Sequence, residues 1–138
     1  MTAILGISAF DHDSAAAMMV DGEIVAAAQA ERFTRNKNDY DVPQHAVDYC
    51  LEEVNLTPEQ LDYPGSYDKP LTKFERLLET YLAYAPAVYR SFRKAMPLWL
   101  KQKLHLPHKM NNGLRGSFSK RYVFIDHYEF HAVSAFFR

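Results

Sequence analysis

Apolar residues come in short runs at the start of the chain. Residues 3–8 carry the β-branched Ile4 and Ile7 and predict a buried strand. Residues 14–20 predict a second strand and residues 23–28 a third. Asp21-Gly22 separates these two. Both residue types tolerate positive φ, so the pair predicts a tight hairpin. Residues 31–41 are polar and predict a loop.

The period then lengthens. A helix opens at Pro43 and runs to about Val54, with Val47, Cys50, Leu51 and Val54 on one face. Thr57-Pro58-Glu59-Gln60 places a cap, a first-turn proline and a reciprocal acceptor in order, so a short helix should begin there. Residues 61–67 resist assignment, because Pro64-Gly65 argues against a central strand. Pro70 opens a long helix through Ala83, with Phe74, Leu77, Leu78, Tyr81 and Leu82 on one side. Residues 87–104 continue as one helix or two, interrupted near Pro97, with Phe92, Met96, Trp99, Leu100 and Leu104 as the inner face. Residues 107–119 hold Asn111-Asn112-Gly113 and Gly116 and predict an exposed loop. A strand over 122–125 and a helix over 127–137 close the pattern. The implied class is α/β: a mixed sheet with strands from both ends of the chain and helices inserted between them.

Composition supports one domain with a sizeable core: 138 residues, 48% hydrophobic, with nine Phe and nine Tyr. The net charge of −1 argues against general nucleic-acid or membrane binding. No apolar run approaches the ~20 residues of a membrane span. The first residues lack the basic flank and long apolar stretch of a secretory signal. One cysteine, Cys50, leaves no internal disulfide and no Cys-only zinc site. The expected compartment is the cytoplasm. Charge is unevenly placed, since from Thr80 to Ile125 there is no Asp or Glu. The lysines and arginines there are spread, with no aromatic stacking pattern. That favours a solvated face, or a surface that pairs with further polypeptide.

Two segments carry candidate chemistry. GISAFDHDSA, residues 6–15, runs a strand into a compact polar loop. Such a loop can present backbone N–H groups to a phosphate. His12 can shuttle a proton, and Asp11, Asp13 and Ser14 surround it. Taken alone, a loop histidine fits an ordinary surface residue as well. DHYEFHAVSAFF, residues 126–137, places His127 and His131 four apart on one helix face. They can aim at one metal ion, for which imidazole suits Zn, Fe, Cu or Ni. Two histidines make an incomplete site, and the same spacing fits a purely structural pair. Asp126 is placed to support a ligand, whereas Glu129 should point elsewhere. Cys50 lies on an apolar helix face and reads as core. Both segments look like halves of a site completed by later sequence, so the chain reads as the front of a larger enzyme.

Together the motifs resemble a known family. His12-Asp13-Ser14, the Asp21-Gly22 hairpin, Glu31-Arg32-Phe33-Thr34-Arg35 and His127-x-x-x-His131-Ala-x-Ser-Ala are similar to the amino terminus of the carbamoyltransferases that modify nodulation factors and antibiotics. The likeness runs over essentially the whole chain. It implies ATP-dependent transfer of a carbamoyl group from carbamoyl phosphate to the hydroxyl of a small-molecule acceptor, through a carbamoyl-adenylate. It implies a partial domain of the actin, sugar-kinase and heat-shock-ATPase type over residues 1–138. It also implies His12 as a catalytic histidine, and His127 and His131 as two ligands of Fe²⁺ or a similar divalent ion. The third ligand, an aspartate, and the nucleotide-binding half belong to later sequence, so the expected partner is the missing carboxy-terminal portion and the chain alone should be inactive. A non-catalytic binding remnant, and a relative of the tRNA threonylcarbamoyl-modification proteins, are the alternative readings. Tyr63-Pro64-Gly65-Ser66 departs from the family's apolar strand and puts one strand of the sheet in question. Ala30 and Asn36 depart from a common glutamate and a common basic residue.

Overall fold

The computed structural model describes residues 1–10, 13–102, 105–116 and 118–136. Strands β1 (Ala3–Ser8), β2 (Ala15–Val20) and β3 (Glu23–Gln29) form where the apolar runs place them. β1 and β2 pair antiparallel, with Ala3 opposite Val20 and Ser8 opposite Ala15. β2 and β3 also pair antiparallel. Asp21 and Gly22 take φ of 49° and 91° between them, as a two-residue turn of this hand requires.

The polar stretch after β3 is not all loop. Glu31–Thr34 forms one helical turn, α1, because the Thr34 N–H reaches back to the Ala30 carbonyl at 3.0 Å. Arg35, at φ 56°, ends it. Helix α2 (Gln44–Val54) buries Ala46, Val47, Cys50 and Leu51, the face its period predicts. At Thr57 the backbone N–H donates to Gln60 Oε1 at 2.8 Å, and the expected short helix is a 3-10 turn over Pro58–Gln60.

The sheet corrects the reading of residues 61–67. Tyr63–Ser66 is a strand, β4, and it is central: it lies between β1 and β5 (Val123–Phe124), parallel to both. The reason is local. β5 pairs only with Gly65 and Ser66, so Pro64 has a strand neighbour only on the β1 side. Its missing N–H is tolerated there as it is at a sheet edge. The side chain of Pro64 is fully buried.

Helix α3 (Pro70–Ala83) has the bounds its pattern predicts, but Leu82, expected on the apolar side with Phe74 and Tyr81, is 69% exposed. Helix α4 (Tyr89–Gln102) runs through Pro97 without stopping. An interior proline removes one backbone bond and crowds the preceding turn, yet the helix is continuous across it. Met96 is buried, and Trp99 packs on Phe74 with ring centroids 5.2 Å apart. Leu104, expected on the inner face, lies outside the described residues.

Residues 106–113 overturn the expected loop. They form helix α5 (Leu106–Gly113). Leu106, Met110 and Leu114 recur every four residues and are all buried, and this period outweighs the turn signal of Asn112-Gly113. Helix α6 (His127–Phe136) follows β5.

The five strands lie in the order β3-β2-β1-β4-β5, an antiparallel half joined to a parallel half. Ala3, Leu5, Ile7, Ala16, Met18 and Ala26 share one core with the buried residues of α2 and α5. The opposite face of the sheet is covered less: Gly6 is exposed and Ile24 is 70% exposed. The α/β class with a mixed sheet is therefore borne out. No helix of the described residues is long and apolar enough to cross a membrane.

Candidate functional site

The parallel half of the sheet gathers the candidate chemistry. β1, β4 and β5 run the same way, so their carboxyl ends share one edge, where ligands of open α/β sheets collect. β1 ends at Ser8, β4 leads into Tyr67 to Lys69, and β5 into Asp126 and His127. Tyr67 links the three. The Ser8 hydroxyl at the end of β1 donates to Tyr67 Oη at 3.5 Å, and the Tyr67 ring lies 5.2 Å from the His127 imidazole, centroid to centroid.

Asp126 caps α6. Its Oδ1 accepts the Tyr128 N–H at 3.1 Å, so this carboxylate serves the helix start rather than a ligand imidazole. The i, i+4 spacing brings His127 and His131 onto one face, both exposed, with Nε2 atoms 3.2 Å apart and rings near-perpendicular. Two nitrogens bonded to one ion at ~2.0–2.1 Å in near-tetrahedral geometry would sit about 3.3 Å apart. The pair therefore fits two positions of one coordination sphere. Without an ion the same separation is a hydrogen bond from one ring to the other. No cluster of three or more His, Cys, Asp or Glu suited to a metal exists among the described residues. Glu129 meets Lys69 at 3.5 Å.

Asp11 and His12 lie outside the described residues; their neighbours do not. Phe10 and Asp13 take left-handed φ of 68° and 53°, unusual outside glycine. The Phe10 N–H donates to the Tyr40 carbonyl at 2.6 Å, and the Ser14 N–H to that of Asp39 at 2.9 Å. Phe10 and Ser14 are thus both tied to residues 39–40. Asp13 is exposed. Ser14 is 1% exposed, and its hydroxyl has no hydrogen-bond partner among the described residues.

Cys50 is core, as read. It is fully buried, its Sγ–H faces the Ala16 carbonyl at 3.6 Å, and burial pushes the thiol up from its ordinary range. A raised thiol is a poor nucleophile.

Sequence reasoning did not find the neighbours of His127. Tyr67, Lys69, Thr72, Lys73 and Arg76 surround its approach. The basic trio falls at i, i+4 and i+7 across the start of α3, a spacing that puts charges on one helix face.

Comparison with known proteins decides the family. The family model for the carbamoyltransferase N-terminus matches residues 3–138. The chain belongs to this family. It is 50% identical over 143 residues to the uncharacterized protein sll1178 of Synechocystis sp., covering 99% of the chain and 23% of that protein. It is 34% identical over 58 residues to the nodulation protein NolNO of Sinorhizobium fredii, covering 42% of the chain and 8% of that protein. It is 38% identical over 60 residues to the uncharacterized protein MJ1051 of Methanocaldococcus jannaschii, covering 44% of the chain and 11% of that protein. The chain spans less than a quarter of the length of these curated relatives.

Proposed function

We propose that the chain is the amino-terminal part of an ATP-dependent carbamoyltransferase domain that moves a carbamoyl group from carbamoyl phosphate to a hydroxyl of a small acceptor. Membership of the family supports the transfer chemistry. The observation that carries the site is the His127–His131 pair, at single-ion spacing on the carboxyl edge of the parallel strands. The mixed sheet with inserted helices supports an actin- and sugar-kinase-like domain. Residues 1–138 then form one part of that domain, and further polypeptide supplies the rest.

In this reading His127 and His131 would hold the divalent ion, Fe²⁺ or a similar one. A divalent ion held there would supply Lewis-acid chemistry towards phosphoryl or carbonyl oxygens. Asp126 fixes the start of α6 and so aims the two rings. The Tyr67 ring packs beside His127 and limits its rotation. His12 moves a proton at the reacting hydroxyl, and Asp13 and Ser14 shape the loop that presents it. In this reading further polypeptide completes the ligand set and the nucleotide site, and the chain alone should have no transfer activity.

Calorimetric titration with Zn²⁺ and Fe²⁺ tests the site. The chain should bind one ion weakly, and His127→Ala or His131→Ala should each lower affinity at least about tenfold, because a single imidazole is left. Unchanged binding in the double variant would place the ion elsewhere. Consumption of carbamoyl phosphate and ATP by the chain alone, lost in His12→Ala, would show that it is a complete enzyme.

A further inference from the structure

A cleft of about 50 Å³ lies between the start of α3 and the start of α6, lined by Lys69, Thr72, Lys73 and Arg76 on one side and Asp126, His127 and Tyr128 on the other. A volume of ~10–15 Å³ admits one water, so the space is that of a few waters, the size of one tetrahedral oxyanion. It is too small for a whole nucleotide.

The cations are not equivalent. Lys73 is fixed by the buried Asp68 carboxylate at 2.7 Å. Lys69 leans on Glu129 at 3.5 Å in an exposed pair, which an incoming anion can displace at little cost. The guanidinium of Arg76 has no hydrogen bond or ion pair among the described residues. Asp126 is the acid lining the cleft, and its Oδ1 is committed to the Tyr128 N–H. Thr72 adds a hydroxyl donor. A guanidinium fork with two ammonium groups beside it is the donor set for a phosphate group.

We infer that this cleft is an oxyanion site that takes one phosphate group, gripped by Arg76 and Lys69 with Lys73 held alongside. The proposed carbamoyl transfer bears only on the source of that group, a small phosphate or the end of a nucleotide. The binding itself follows from the cleft.

Amide NMR titration of the metal-free 138-residue chain tests it, with inorganic phosphate, carbamoyl phosphate and ATP as separate probes. Saturable shifts should appear at residues 69–76 and 126–128. Arg76→Gln should weaken phosphate binding about tenfold, the loss expected for a charge-assisted bond, and Lys69→Gln should weaken it less. Arg93→Gln, the same charge change on α4, should alter it less than about twofold, since exposed charges at a distance are screened. Equal affinities for inorganic and carbamoyl phosphate would assign a small phosphate to the site. Tighter binding of ATP, equally sensitive to Arg76→Gln, would assign the terminal phosphate of a nucleotide. Absence of saturable shifts below about 10 mM, weaker than the ~1 mM to ~10 mM range of a weak anion site, would overturn the site. So would equal losses in Arg76→Gln and Arg93→Gln. Either result, with metal binding at the histidine pair intact, would remove the oxyanion site and leave the proposed function standing.

Discussion

Helices α2 and α5 on one side, and α3 and α4 on the other, have apolar faces of similar regularity but different fates. α2 buries Ala46, Val47, Cys50 and Leu51 against the sheet, and α5 adds Leu106 and Met110 to the same core. In α3 and α4 only Met96 is buried among the described residues, and Leu71, Leu82 and Leu98 are each more than 60% exposed. The second pair holds together mainly through ring contacts, Phe74 with Trp99 and Tyr81 with Phe92. Periodicity says which side of a helix is apolar. It does not say whether a sheet, a neighbouring helix or further polypeptide covers that side.

The largest effect is expected at the core. Leu5 is fully buried in β1, so Leu5→Ala should cost about 2–5 kcal/mol in urea unfolding. Leu82→Ala, on the exposed side of α3, should change stability by less than about 0.5 kcal/mol. Similar costs at the two sites would mean that the helical pair is as firmly packed as the core.

A smaller effect is expected where α5 meets the loop before α2. A Cβ on Gly113 would overlap the Val42 side chain, whose branched Cβ leaves it little room to turn. Gly113→Ala should cost about 1–3 kcal/mol, the range for overpacking. The double variant Gly113→Ala with Val42→Ala should recover part of that loss. No recovery would mean that α5 is not seated against Val42.

These positions also show what was legible in the chain. The Asp21-Gly22 hairpin, the face of α2 and the Thr57 cap rest on contacts within a few residues, and simple patterns find them. β4 and α5 run against local pattern because strong local signals, Pro64-Gly65 and Asn112-Gly113, give way to distant partners. For Pro64 the partner is β1; for the Asn-Gly pair it is the core that takes Leu106, Met110 and Leu114. The candidate site divides in the same way. The facing of His127 and His131 follows from helical spacing. Tyr67, Lys69 and Arg76 arrive from another element, and nothing local to α6 announces them.

The smallest effect is one of pH. Tyr122 packs between Phe118 and Phe124 at the margin of the core, and burial pushes its phenol up to about 12. In the unfolded chain a tyrosine ionises near 10. The folded state keeps its proton where the unfolded state loses it, so this contribution is full below pH ~10 and is lost as pH rises towards 12. Cys50, also raised by burial, acts in the same direction from above its ordinary value of 9.0. Tyr122→Phe should flatten the fall in stability between pH ~10 and 12. An unchanged slope would mean that Tyr122 is as open to water as the outer faces of α3 and α4.

The path from β4 to β5 has a consequence for how freely this chain can change its length. The two strands are neighbours in the sheet, yet α3, α4 and α5 all lie between them in sequence. Closing a flexible connection costs only about 0.6 kcal/mol more for each doubling of its length. Shortening or extending the segment around the tip between α3 and α4, which contributes almost nothing to the core, therefore leaves the sheet close to its original balance. Residues 106–114 do not share this latitude, because they enter the core. Length variation among homologous sequences should accordingly concentrate at residues 84–87, which are exposed and to which the strands on either side are indifferent.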